Sequence, residues 1–270
     1  MRAVTSSLLR PCLRLRTHSG TAPAAAGPTV GGTAPTPVLD WQHPRVAARA
    51  GAVAADAAAA PGGPAGQPAF LRLAHRRIAR TVRPVCSVRD ERPVSQVLRL
   101  GRGSCSQRLA LLEAVARASG TATRVRGLVV DGAFRHARFP GRRLLVPERV
   151  LPAWPEFRLD GPGAGWLGVS ELFGGLEEAA AVGRGGFTDT GPETLFEALS
   201  RTAIDWDGAT AAACPAGGAA CDLCAHVLAD LGRFASRDEF FARHGQTLCP
   251  TARLVAEPVL GRWSAGARPH

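Results

Sequence analysis

The chain has 270 residues, 46% of them hydrophobic, enough to bury a sizeable core in one main domain with an extension. Its 33 basic residues are all arginine and outnumber 22 acids, giving a formal net charge of +11. The arginines are interspersed with acids rather than gathered into a basic block with interleaved aromatics, so specific nucleic-acid binding is not expected. No apolar stretch is long enough for a membrane-spanning helix. The odd count of 7 cysteines does not suit the disulfide framework of a small secreted domain, and a reducing, cytoplasmic compartment is expected. Lys, Asn and Tyr are absent, which is the footprint of a GC-rich coding sequence.

Residues 1–39 contain no acid, carry Arg2, Arg10, Arg14 and Arg16, and superficially resemble a transit peptide. Arg10 and Arg14 interrupt any secretory hydrophobic region, and an unstructured leader or an over-extended start is the plainer reading. From Thr17 to Pro37 there is almost nothing to bury, so residues 1–35 are predicted to be disordered, with the fold beginning near Thr36. An alanine-rich helix follows over Arg45–Ala60 and is ended by Pro61-Gly62-Gly63-Pro64. Phe70, Leu71, Ala74, Ile78 and Val82 recur at helical spacing and predict a second helix over Pro68–Val82.

A short turn is predicted at Pro93–Leu98. The clearest helix spans Ser106–Ser119, with Leu109, Leu112, Val115 and Ala116 on one face and Gly120 as its left-handed stop. Strands are predicted at Thr123–Asp131, Glu156–Asp160 and Gly165–Ser170, the last two as a hairpin, and helices at Thr194–Arg201, Leu223–Leu231 and Asp238–His244. One helix followed by strands argues for an α+β fold rather than a parallel doubly wound sheet. The organisation expected is a leader over 1–35, a core over 36–180 and a helical C-terminal extension over 181–270 packed on the core.

Chemistry concentrates at Gly101-Arg102-Gly103-Ser104-Cys105-Ser106-Gln107, where a cysteine opens a helix. The first helical turn leaves backbone N–H groups unpaired and carries partial positive charge, so a thiolate there is favoured and a lowered pKa is expected. Those N–H groups also suit an oxyanion. A buried structural thiol is the alternative reading.

On these residues the chain resembles the bacterial transglutaminase-like family. Pro93–Cys105 is similar to that family's approach to its nucleophile, Leu111–Arg124 to its helix and first strand, Ala153–Gly161 to its histidine strand, and Gly165-Trp166-Leu167 to the strand leading to its acid. The resemblance implies a papain-like core, with a nucleophile helix packed on an antiparallel sheet and a peptide or protein as partner. It also exposes two departures. Where the family places histidine, two residues before the strand tryptophan, this chain has Pro152, which can neither accept nor donate a proton. The acid position falls on Ser170, with Glu171 beside it.

Two functional expectations follow, beside a third class, a metal-stabilised interaction protein organised by the C-terminal cysteines. The first is a member that keeps the cysteine, has lost ordinary triad catalysis and binds peptide or protein beside Cys105. The second is an active cysteine acyltransferase or protease-like hydrolase in which His136 serves as base and Glu171 or Asp131 orients it, since turnover of an amide needs a proton for the leaving nitrogen. His43 and His75 read as surface or interhelix residues, and Glu156 as a strand-rim acid.

No cofactor is expected. Cys214, Cys221, Cys224 and His226 offer zinc-like ligand types, but Cys224 and His226 lie two apart on a predicted helix and do not face each other, so unrelated cysteines are the preferred reading and no metal is assigned. Gly183-Arg184-Gly185-Gly186 lacks the strand and helix of a phosphate loop, and Asp205-Trp206-Asp207-Gly208 lacks the remaining ligands of a calcium site.

Overall fold

The computed structural model describes residues 30–59, 66–139, 141, 143, 146–160, 165–173, 187, 189, 193–200, 204, 206 and 223–265. Residues 1–29 of the expected leader, Cys214, Cys221, Gly183–Gly186, Asp205 and Asp207 lie outside them.

Four helices build the first layer: α1 (Pro44–Ala59), α2 (Gln67–Thr81), α3 (Val94–Leu100) and α4 (Cys105–Ala118). The outer helices each bury one stripe, Val46, Ala50 and Val53 on α1 and Leu71, Ala74, His75 and Ile78 on α2. α4 is different. Every residue from Gln107 to Arg117 is buried, so this helix is the centre of the molecule and even its charged residues must find internal partners. Leu109, Leu111, Leu112 and Val115 join the stripes of α1, α2 and α3 in one hydrophobic cluster. Gly101, at φ +60°, stops α3 in the left-handed region that favours glycine, and a short parallel pairing of β1 (Arg83–Pro84) with β2 (Arg102–Gly103) then delivers the chain to Cys105.

The second layer is an antiparallel sheet centred on β3 (Ala122–Asp131). Along one edge of β3 lie β5 (Ala153–Arg158) and β4 (Arg149–Val150), paired from Ala122↔Arg158 to Gly127↔Ala153 and again at Val130↔Val150. β6 (Trp166–Gly168) pairs with β5 as the predicted hairpin partner. The other edge of β3 is taken by β7 (Val227–Phe234), with two register shifts along the pairing. The fold is therefore α+β, with α4 in contact with both β3 and β5.

Three expectations are corrected. The helix predicted over Leu223–Leu231 is a turn at Cys224–His226 followed by β7: strand pairing along the open edge of β3 overrides a helical pattern, and Gly232 at φ +86° does not suit a helix. β7 also means that residues beyond 180 supply a strand of the central sheet. At the other end, the chain joins the fold before Thr36: Gly32 and Thr123 exchange backbone hydrogen bonds at 3.1 Å, and Arg117 donates to the Ala34 carbonyl at 2.7 Å.

Beyond β7, α6 (Arg237–His244) packs Phe240 and Phe241 against Val125, Val129, Leu151 and Ala153 in a second cluster, and α7 (Pro250–Leu260) follows. Among the described residues no helix is long and apolar enough to cross a membrane.

Candidate functional site

Cys105 is the first residue of α4. Ser104 caps the helix: its side chain accepts from the Gln107 N–H at 3.3 Å, while the Gln107 side chain accepts from the Ser104 N–H at 3.0 Å. Gly103 keeps this entry tight, because a Cβ there would come within 2.9 Å of Val97 and 3.2 Å of the Gln107 side chain. The thiol is half-buried and packs against the large cluster. Where the helix terminus alone would lower its pKa, burial pushes the Cys105 thiol up to about 11, with the nearby Arg108 guanidinium opposing, the Glu197 carboxylate adding to the rise, and Arg135 and Arg237 opposing. Desolvation of the thiolate outweighs the favourable helix terminus.

Pro152 sits between β4 and β5, and its carbonyl accepts from the Leu128 N–H at 3.2 Å, so it stands across the strand pair from Leu128. Side chains two apart on a strand share a face, which puts Pro152 on the face of Trp154. Leu128 and Trp154 both belong to the cluster against which Cys105 packs. The position holds a pyrrolidine ring.

His136 follows a tight turn over Gly132–Arg135 at the end of β3 and is half-buried, its N–H bonded to the Ala133 carbonyl at 2.9 Å. Asp131 caps that turn, accepting from the Ala133 N–H at 2.8 Å. Glu171 is exposed at the start of a turn after β6, and its carboxylate accepts from the Gly168 N–H at 2.5 Å. Glu156 is held by Arg124 at 2.5 Å and Arg233 at 3.1 Å, with Arg124 also lying 4.2 Å over the Trp166 ring. Among the described residues no group of three or more His, Cys, Asp or Glu side chains could hold a metal, and Cys224 and His226 share one turn.

The charged residues that do surround Cys105 were not singled out in the sequence. Arg108, one helical turn on and fully buried, pairs with Glu197 at 2.5 Å and lies 4.3 Å over the Phe196 ring. Glu197 sits on α5 (Leu195–Ala198), whose start is a capping box with Thr194. The Thr194-x-x-Glu197 spacing is a readable capping signal, but nothing in it announces that the same carboxylate reaches Arg108. His75 lies in the same buried neighbourhood: its Nε2 is 2.6 Å from the Phe196 carbonyl, its ring stacks on Phe196, and burial lowers its pKa to about 4. It is neutral and structural near pH 7.

On the other side of Cys105, Arg237 of α6 pairs with Glu113 of α4 at 2.5 Å, both side chains fully buried, and donates to Ser106 Oγ at 3.2 Å and to the Ala153 carbonyl at 3.0 Å. Burial raises the pKa of Asp90, opposed by a hydrogen bond with Ser106 and by Arg237. Ser106, the residue after the thiol, is therefore anchored from α6 and from the loop before α3. A cleft of about 440 Å³ opens beside this loop, between the start of α3 and α7, lined by Arg89, Arg92, Gln246, Arg253, Leu254 and Glu257 among others.

Comparison with known families matches residues 71–170 to the transglutaminase-like superfamily, a span that runs from α2 to the loop after β6 and includes both Cys105 and Pro152. No curated protein and no solved structure matches the chain.

Proposed function

We propose that this chain, whose residues 71–170 are a transglutaminase-like domain, is a non-catalytic member of that superfamily that binds peptide or protein segments beside Cys105. The observation that carries this reading is that a proline stands at position 152, two residues before Trp154, where the resemblance implies histidine, while burial raises the pKa of the Cys105 thiol. A thiol pushed to about 11 is almost wholly neutral near pH 7, and the thiolate is the form that attacks a carbonyl. Pro152, at the place where the resemblance implies histidine, can neither accept a proton nor return one to a leaving amine. The helix terminus and the sheet remain as a binding scaffold.

The test is intact-protein mass spectrometry after incubation with a glutamine peptide and with an activated ester. No thioester is expected at Cys105. An adduct that accumulates with either donor overturns the reading.

One observation favours a second reading, an active cysteine acyltransferase or hydrolase with His136 as base: Arg135, immediately before His136, lies within electrostatic reach of Cys105. Against it, the two carboxylates that would orient the imidazole are engaged locally, Asp131 on Ala133 and Glu171 on Gly168. His136→Ala separates the two readings, because it slows alkylation of Cys105 at pH 6 only if the imidazole takes the thiol proton.

A further inference from the structure

The fold gathers arginines that the sequence intersperses with acids. Over residues 44–103 eleven arginines stand against only Asp56, Asp90 and Glu91, so most of the formal net charge of +11 resides in α1, α2, α3 and their connections. Two stretches of the same form, Arg80-x-x-Arg83 and Arg99-x-x-Arg102, are brought side by side. Arg80 is in the last turn of α2 and Arg99 in the last turn of α3, and each helix is followed at once by a short strand that begins with the second arginine. The strands run parallel with Arg83 opposite Arg102, held by the Arg83 N–H on the Gly101 carbonyl at 2.9 Å and the Val85 N–H on the Gly103 carbonyl at 3.1 Å. Residues opposite one another on neighbouring strands send their side chains from the same face, with backbones about 4.8 Å apart.

No carboxylate answers this charge. Arg77 and Arg92, close by in sequence, are paired with Asp56 and Glu257. Arg80, Arg83, Arg99 and Arg102 have no ion pair and no side-chain hydrogen bond among the described residues, and Arg102 Nε is buried without an acceptor. The partial negative charge of a helix C-terminus accounts for Arg80 and Arg99. It does not account for Arg83 and Arg102, which lie past those ends on the ladder, where like charges placed opposite one another repel. A half-buried guanidinium facing a second, exposed one, with an N–H left unmet, is complementary to an anion from outside the chain.

We propose that the β1–β2 ladder is a binding site for a small, multiply charged phosphate anion, an oligophosphate, received by the Arg83 and Arg102 guanidiniums and flanked by Arg80 and Arg99. A guanidinium fork takes two phosphate oxygens at once, and a chain of phosphates offers such oxygens to neighbouring forks together. A lipid surface and a nucleic acid fit less well. The exposed large hydrophobics, Val30, Leu228, Leu254, Val255 and Val259, all lie outside residues 44–103, so among the described residues the patch has no apolar side chain to insert between lipids and no exposed aromatic ring on which a base would stack. The proposal goes beyond the peptide-binding reading and requires no reaction at Cys105.

The experiment is titration calorimetry of the full-length chain with inorganic tripolyphosphate at about 0.15 M salt, where exposed charges more than about 8 Å apart are largely screened. One anion should bind per chain. Arg83→Gln should weaken binding about tenfold, and so should Arg102→Lys, which keeps the charge but loses the planar fork. Arg83 is exposed, so its variant is expected to fold, and thermal denaturation without the anion checks both proteins. The control is Arg45→Gln with Arg158→Gln, which removes two charges from exposed positions on α1 and β5 and should leave the affinity within about twofold. Absence of tripolyphosphate binding, a control that weakens binding as much as Arg83→Gln, or an Arg102→Lys protein with unchanged affinity would each overturn the proposal. So would phosphatidylserine vesicles or a mixed-sequence oligonucleotide that displaces tripolyphosphate at an equal concentration of phosphate groups. Such a failure leaves the non-catalytic reading intact, whereas a thioester at Cys105 overturns that reading whether or not the ladder binds the anion.

Discussion

Pro152 and Leu128 stand opposite one another across the strand pair, the Leu128 N–H donating to the Pro152 carbonyl at 3.2 Å. The strand is therefore continuous in register where the superfamily's histidine would be expected from the sequence resemblance, and what changes is the side chain. Pro152→His restores an imidazole two residues before Trp154 without disturbing the carbonyl that Leu128 uses. Alkylation of Cys105 at pH 7, followed by site-resolved mass spectrometry, should accelerate about tenfold or more, because an adjacent imidazole favours the thiolate by roughly a pKa unit or more. An unchanged rate would mean that the strand face does not present position 152 to the thiol.

His75 makes stability depend on pH. Its pKa is lowered by burial from 6.5 to about 4 in the folded protein, so the unfolded chain binds a proton that the folded chain refuses between those values. Stability contributed by the neutral ring is fully present above about pH 6.5 and is lost as pH falls toward 4, at about 1.4 kcal/mol per pH unit through the window. His75→Phe keeps the aromatic packing against Phe196 and Phe173 but has no proton to bind. Thermal denaturation of the variant should be less stable near pH 7, through loss of the bond to the Phe196 carbonyl, and flatter between pH 4 and 6.5.

The Arg237–Glu113 pair fastens α6 to the central helix with both side chains fully buried. Removing one partner strands the other charge in the core, so Arg237→Met or Glu113→Gln alone should cost about 3–5 kcal/mol in denaturant unfolding. The double variant should cost less than the sum of the two, since neither charge is then left without its partner. Additive losses would show that the pair is not energetically coupled.

The elements that position Cys105 are legible because each carries a local signal: apolar spacing and Gly120 for α4, β-branched residues for β3, and an alternating run with glycines for the β5–β6 hairpin. β7 is not, because Cys224–Leu231 carries apolar residues at both helical and strand spacing and only the open edge of β3 decides between them. α7 is hidden for another reason: Pro258 lies inside it, and Leu254, Val255 and Val259 face outward, so no apolar stripe marks a buried side. At the site, Cys105 announces itself through its glycine-flanked helix start. Glu197, Asp90 and Arg237 reach it from distant segments, through packing that no local pattern encodes. The direction of the thiol's shift belongs to the same class, since the helix terminus is local and predicts a fall, while burial is tertiary and produces a rise.

The account turns on the ionisation of one sulfur. A pH profile of Cys105 alkylation by iodoacetamide in the wild-type protein, read peptide by peptide, measures it directly. The expected profile rises about tenfold per pH unit from pH 7 to 10 without a plateau, as a thiol held at about 11 requires, and at pH 7 runs about a hundredfold slower than a free thiol. A profile already saturated by pH 7 would place a reactive thiolate at the head of α4 and contradict the non-catalytic reading.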